Sequence, residues 1–222
     1  MKIVAVVPMK LNNQRLPKKN IKQFTDGNPL CQYILTSLSK CSKINEIYVY
    51  CSDPNIKKYL IHGVKYLERD KSLDSDKTKM NDVLYSFAND VPADIYVMAH
   101  TTAPFVYQSS IEKGIDAVLN GTYDSAFSVK KLQDFVWEDG KPLNYDLGNI
   151  PRTQDLNPIY METSGFYIYR SEIIKKMKRR IGEKPYLVEV SNIESCDIDE
   201  NEDFIIADAI HYYLKMKRDE NE

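Results

Sequence analysis

The sequence predicts an α/β protein, a three-layer α/β/α sandwich around a mainly parallel, mixed sheet, and three observations carry that expectation. Lys2-Ile3-Val4-Ala5-Val6-Val7 is an unbroken β-branched and aliphatic run closed by Pro8, the pattern of a strand covered on both faces. An amphipathic stretch follows it, in which Leu30, Tyr33, Ile34, Ser37, Leu38 and Cys41 share one helical face. Strand and helix then alternate along the chain, which requires right-handed crossovers between parallel neighbours.

Taken in order, Glu46 to Cys51 reads as the second strand, closed by Ser52-Asp53-Pro54 and followed by a short helix. A short strand near Val64 to Leu67 precedes a helix carrying Met80, Val83, Leu84, Phe87 and Ala88. Strand Asp94 to Ala99, a helix carrying Ile111, Ile115, Val118 and Leu119, and strand Ser125 to Lys130 continue the rhythm. From Lys131 to Glu162 it stops. Asp139-Gly140 and Asn149-Ile150-Pro151 are turn signals and no helical stripe appears, so an inserted arm is expected there. Gly165 to Tyr169 reads as a strand, Ser171 to Arg180 as a basic helix, Tyr186 to Val190 as a strand, and Asn201 opens the last helix. No repeat or linker divides the 222 residues, so a single domain spanning 1–222 is expected.

Thirty Lys and Arg against thirty-two Asp and Glu leave a net charge of −2, too little to hold a polyanion or an anionic bilayer. Neither nucleic acid nor membrane is an expected partner. The apolar runs fall far short of the ~20 residues of a membrane helix, and no signal-peptide core follows Met1-Lys2, so a cytoplasmic protein is expected. Cys31, Cys41, Cys51 and Cys196 stand singly, which favours buried reduced thiols over zinc or disulfides.

Ligands of open α/β sheets bind beyond the carboxyl ends of the strands. The loop after the first strand, Pro8 to Asn20, holds Lys10, Arg15, Lys18 and Lys19 and is stiffened by Pro17. It contains neither G-x-G-x-x-G nor G-x-x-x-x-G-K-[ST], so a phosphate there would be clamped by side chains. A charge run by itself is equally a solvated loop. Near the other end, Asp197 and Asp199 alternate along an extended segment and project to one side, which suits Mg²⁺; capping the helix from Asn201 is the plain alternative.

The string Pro8-Met9-Lys10-Leu11-Asn12-Asn13-Gln14-Arg15-Leu16-Pro17-Lys18-Lys19-Asn20 resembles the first signature of the sugar cytidylyltransferases, the family of CMP-sialic acid and CMP-Kdo synthetases. Further blocks fall in the family's order: Leu67-Glu68-Arg69 with Ser75-Asp76, His100-Thr101-Thr102-Ala103-Pro104, Arg152-Thr153-Gln154-Asp155-Leu156 before Ser164-Gly165, and Cys196-Asp197-Ile198-Asp199 with Glu202-Asp203-Phe204. The resemblance implies a Rossmann-like nucleotidyltransferase fold. It implies transfer of CMP from CTP to the anomeric hydroxyl of an acidic, sialic-acid-like sugar, with loss of pyrophosphate. Lys10, Arg15 and Lys19 would then stabilise the departing charge, with Pro8, Asn13, Asn20, Arg69, Asp76 and His100 around the nucleotide. Thr101, Thr102, Arg152, Gln154 and Ser164 would face the sugar, and Asp197 and Asp199 would hold Mg²⁺. A homodimer is also implied, because relatives lend their arm to a neighbour's site.

The chain departs from the family pattern in three places. Lys10-Leu11-Asn12-Asn13 replaces a glycine-containing turn, Ser164 stands where CMP-sialate enzymes usually carry Asn, and Thr102 replaces a metal-binding Asp of the CMP-Kdo group. Two other readings accompany the first: a D-x-D glycosyltransferase, suggested by Asp197-Ile198-Asp199, and a catalytically silent nucleotide-binding homologue, suggested by the altered turn.

Overall fold

The structure, a computed structural model, describes residues 1–220. Its strands are β1 (Ile3–Met9), β2 (Glu46–Cys51), β3 (Val64–Glu68), β4 (Ile95–Ala99), β5 (Ser125–Leu132), the short pair β6 (Trp137–Glu138) and β7 (Lys141–Pro142), β8 (Ile159–Arg170) and β9 (Pro185–Glu189). The helices are α1 (Cys31–Ser39), α2 (Met80–Asp90), α3 (Gln108–Leu119) and α4 (Asn201–Asp219). Seven strands form one sheet in the order β3-β2-β1-β4-β8-β5-β9. All neighbours are parallel except β8, which runs antiparallel to both β4 and β5.

The unbroken apolar run of β1 has a simple cause. Val4 and Val6 face a cluster with Leu84, Phe87, Tyr96 and Ile174, while Ile3, Ala5 and Val7 face Ile34, Leu38, Ile111 and Ile115. Both faces of the sheet are therefore covered, α1 and α3 lying on one and α2 on the other, which is the expected sandwich. A third cluster closes the carboxyl edge, where Leu16, Phe24, Phe105, Ile198, Phe204 and Ala207 come together from three distant parts of the chain.

Two sequence expectations are corrected. The stretch from Ser171 to Arg180 is not a helix of that length: a five-residue π turn, Ile173–Met177, ends at Lys178 in the left-handed region (φ 52°). The arm is shorter at both ends than Lys131 to Glu162, because Lys131 pairs with Tyr160 and Leu132 with Ile159 as the edges of one long ribbon. What remains, 133–158, carries the β6–β7 hairpin and a 3₁₀ turn at Thr153–Asp155. No helix among the described residues is long and apolar enough to cross a membrane.

Candidate active site

Beyond the carboxyl ends of β1 and β4 lies a cleft of about 410 Å³, within the size range of small-molecule sites. Pro8, Lys10, Asn13, Arg15, Lys19 and Asn20 line it from the first loop, Arg69 from the end of β3, and His100, Thr101 and Thr102 from the end of β4. Ser164, Asp197 and Asp199 complete it. Two larger recesses, of about 670 and 900 Å³, lie outside this constellation.

Apolar contacts bring the two ends of the chain together. Leu16 and Ile198, 6% and 0% exposed, pack in the same cluster, and each is adjacent in sequence to a charged residue of the cleft. Burial of each side chain stabilises by about 1.5–3 kcal/mol, more than the exposed ion pairs beside them. The backbone N–H of Ile198 also donates to the carbonyl of Thr102 (2.9 Å), pinning the acidic segment to the end of β4. Asp197 and Asp199 then flank Ile198 and reach the cleft. The helix-cap alternative fails for both, because Asp203 already caps α4. Its carboxylate accepts from the backbone N–H groups of Asp199 (2.9 Å) and Glu200 (2.8 Å) at the start of that helix.

The cations meet the acids directly. Arg15 Nη2 donates to Asp199 Oδ1 (2.8 Å), and Lys19 Nζ donates to the same oxygen (3.1 Å) and to the carbonyl of Ile198 (2.6 Å). The side chain of Lys19 is only 9% exposed, so its ammonium is fixed, whereas Arg15 at 62% is free to leave its partner. Lys10 is held by Asp76 (3.0 Å), which also accepts from Gln14 (2.6 Å). Asp76 therefore sits behind Lys10 rather than in the lining. Asn20 donates to the carbonyl of Lys10 and accepts from the Thr101 hydroxyl, tying the loop to β4.

Polar groups in the cleft are left unmatched. Asn13 Oδ1, Arg69 Nε, His100 Nε2 and Asp197 Oδ1 are all covered from solvent and have no hydrogen-bond partner, a condition that costs about 1–3 kcal/mol per group. Burial pushes the Asp197 carboxyl above its usual range, with Asp199 adding to the effect. Burial, together with the charge of Arg180, lowers His100 to about 4, so its imidazole is neutral near pH 7. Arg69 is 4% exposed and anchored to Asp74.

Sequence reasoning assigned no role to a further part of the lining, although Ser75 stands in one of the family-like blocks. Ser75, Thr78, Met80 and Val83 form it, and α2 begins there at Met80 with no side-chain cap from Lys79. The N–H of Asp82 already donates to the carbonyl of Lys79 (3.0 Å), so Met80 and Asn81 are the donors that the missing cap leaves, together with the positive end of the dipole. The absence of Ser, Thr, Asp or Asn at the position before Met80 was the available signal. Ser164 reaches the cleft through a β-bulge: the β5–β8 register shifts between Phe127 and Val129, and Ser164 takes a left-handed conformation (φ 58°) that re-aims its side chain. Arg152 and Gln154 do not join their own chain's cleft. They lie on the arm, where Arg152 pairs with Asp155 and the carbonyl of Gln154 accepts from Gln133.

A mixed sheet with one reversed strand and a charged cleft at its carboxyl edge defines the α/β nucleotidyltransferase class. The chain belongs to the cytidylyltransferase family, whose model, described as Cytidylyltransferase, matches residues 4–217. It is 24% identical to N-acylneuraminate cytidylyltransferase A of Danio rerio and 26% identical to N-acylneuraminate cytidylyltransferase of Oncorhynchus mykiss, over 93% of this chain in each case. The matches cover 50% and 49% of those proteins, so the chain spans about half the length of these curated relatives. Among solved structures, a CMP:2-keto-3-deoxy-manno-octonic acid synthetase complexed with CTP has the same fold, with a TM-score of 0.72, 15% identity, and coverage of 96% of this chain and 100% of that one.

Proposed function

We propose that this chain transfers CMP from CTP to the anomeric hydroxyl of an acidic, sialic-acid-like sugar and releases pyrophosphate. The observation that carries the reading is the meeting of Arg15, Lys19 and Asp199, 184 residues apart at their widest, in one cleft with unmatched polar atoms. Lys19, held in place by burial, sets its ammonium beside the phosphates. Arg15 exchanges its exposed pair with Asp199 for bidentate contact to the leaving pyrophosphate, and Lys10 supplies a third charge. His100, neutral and with a bare Nε2, orients a ligand group by hydrogen bonding rather than carrying charge. Thr101 is committed to Asn20 and keeps the loop in register, while Thr102 and Ser164 face the acceptor.

The donor set fits Mg²⁺. Asp197 has a covered oxygen without a partner, and Asp199 shares its Oδ1 with the fixed ammonium of Lys19 and with the exposed Arg15, which is free to leave. Two carboxylates suit an ion that retains waters and takes the rest of its shell from phosphate. When bound, the ion neutralises phosphate charge and makes the α-phosphorus more electrophilic.

The arm supports a homodimer. Trp137, Leu143, Leu147 and Ile150 are each more than half exposed on it, and Arg152 and Gln154 stand outside their own cleft. In this reading they complete the partner's sugar site. The four free thiols agree with a cytoplasmic setting.

The test is CTP-dependent pyrophosphate release with a panel of acidic sugars. Release with a sialic acid supports the reading, and release with a 3-deoxy-octulosonic acid favours the second reading suggested by the CMP:2-keto-3-deoxy-manno-octonic acid synthetase fold. Product only from UTP or GTP, or no turnover with any sugar, overturns it. Arg152→Ala should raise the KM for the sugar about 10-fold while leaving that for CTP unchanged.

A further inference from the structure

Helix α4 is apolar on two opposite faces. Phe204, Ala207 and His211 are buried against the body of the protein. Away from it, Ile205, Ile206, Ala209, Tyr212, Tyr213 and Met216 are exposed, and the five large ones are each between 45% and 60% exposed. At 100° per residue these six positions fall within an arc of about 120°, one continuous apolar stripe. Scattered apolar residues on a surface need no explanation, but a contiguous stripe marks a contact.

We propose that this stripe pairs with the same stripe of a second copy of the chain, the two helices antiparallel and the two-fold axis passing at Ala209. The pattern is symmetric about that residue: Ile206 and Ile205 lie three and four positions before it, Tyr212 and Tyr213 three and four after it. An isologous contact requires such self-complementarity. It sets the isoleucine pair of each copy against the tyrosine pair of the other, twice, and the small Ala209 side chain lets the axes approach at the centre. The helix dipoles select the direction, because antiparallel pairing opposes them and parallel pairing aligns them. Antiparallel pairing also lays the acidic first turn, Glu202 and Asp203, toward Lys215 and Lys217 of the other copy, where Asp219 and Glu220 follow and Glu220 lies 3.5 Å from Lys217. The stripe from Ile205 to Met216 is only about 17 Å long. It therefore covers less than the ~800 Å² per partner of a standard interface, and the contact belongs to the small, transient class.

The test is a cysteine at the axis. Under mild oxidation Ala209→Cys should form a covalent dimer at least about tenfold faster than Ser39→Cys, an exposed control on α1, because only a residue on the two-fold meets its own copy within disulfide distance. Adding Tyr213→Glu should abolish that advantage and lower the mass seen by sedimentation. Adding the arm variant Trp137→Asp should leave the cross-link intact, which separates this contact from the arm. Cross-linking of Ala209→Cys no faster than the control, or a cross-link that survives Tyr213→Glu, overturns the proposal; so does a stripe found occupied by a different protein.

Discussion

The cleft and the cluster around Asp26 are both charged and both partly buried, yet they differ in how their polar atoms are matched. At Asp26 every demand is met: Tyr33 donates to Oδ1 (2.7 Å), His211 Nε2 lies 2.9 Å from Oδ2, and Asn28 donates from both its backbone N–H and its amide. Phe24 stacks on His211 with ring centroids 5.4 Å apart. Around the cleft, four covered atoms have no partner at all. A satisfied network rigidifies, and an unsatisfied one waits for a ligand. The first clamps α4 to the segment before α1; the second is where the chemistry is expected.

Substitutions can break or sharpen this contrast. The largest effect is expected from Asp199→Ala, which should cut CTP-dependent pyrophosphate release by on the order of 1,000-fold with the circular dichroism spectrum unchanged. Near-normal turnover in that variant would falsify the metal assignment. Asp197→Asn should lose about 100-fold in rate and yet melt no lower than the parent, because burial already disfavours its charged form. The sign follows: with its folded value raised, ionised Asp197 costs stability above that value, and the cost disappears as pH falls through it, so the asparagine variant's advantage should shrink in acid. A lower melting temperature at neutral pH for Asp197→Asn would mean the carboxylate is structural.

The opposite signature is expected at the clamp. Asp26→Asn should lose about 2 kcal/mol of stability with little change in turnover. Burial alone would raise this carboxyl, but the bonds from Tyr33 and Asn28 and the charge of His211 outweigh it and bring Asp26 down to about 2. Its contribution is therefore complete above the ordinary value of 3.8 and is lost as pH falls toward 2, so urea midpoints of parent and variant should converge in that window. The smallest effect is expected for His100→Gln, which keeps an acceptor and should change the rate by no more than about threefold, without moving any rate limb near the usual histidine value of about 6.5. A limb lost in that variant would show that the imidazole titrates during turnover.

The strands were legible because β1, β2 and β4 are covered on both faces and so must be apolar without interruption. The cleft was legible at the two ends of the chain, where charge and motif coincide. What sequence hid was indirect. Asp203, not Asp197, caps α4, and only the fold reveals which carboxylate the backbone reaches. The uncapped start of α2 left a trace in the sequence, Lys79 in place of a capping residue, whereas the left-handed Ser164 is a statement about backbone, to which side-chain patterns are nearly blind. The basic stretch after Ser171 misled because lysine-rich segments favour helix locally, whereas the chain must turn at Lys178 to deliver β9 to the sheet edge.

The shared cluster of Leu16 and Ile198 makes the cleft a product of long-range closure. Arg15 and Lys19 meet Asp199 only when segments some 180 residues apart have come together, so neither segment alone carries the charge pattern. A ligand held there would tie the two segments to each other, and its binding would read out closure of the fold between them.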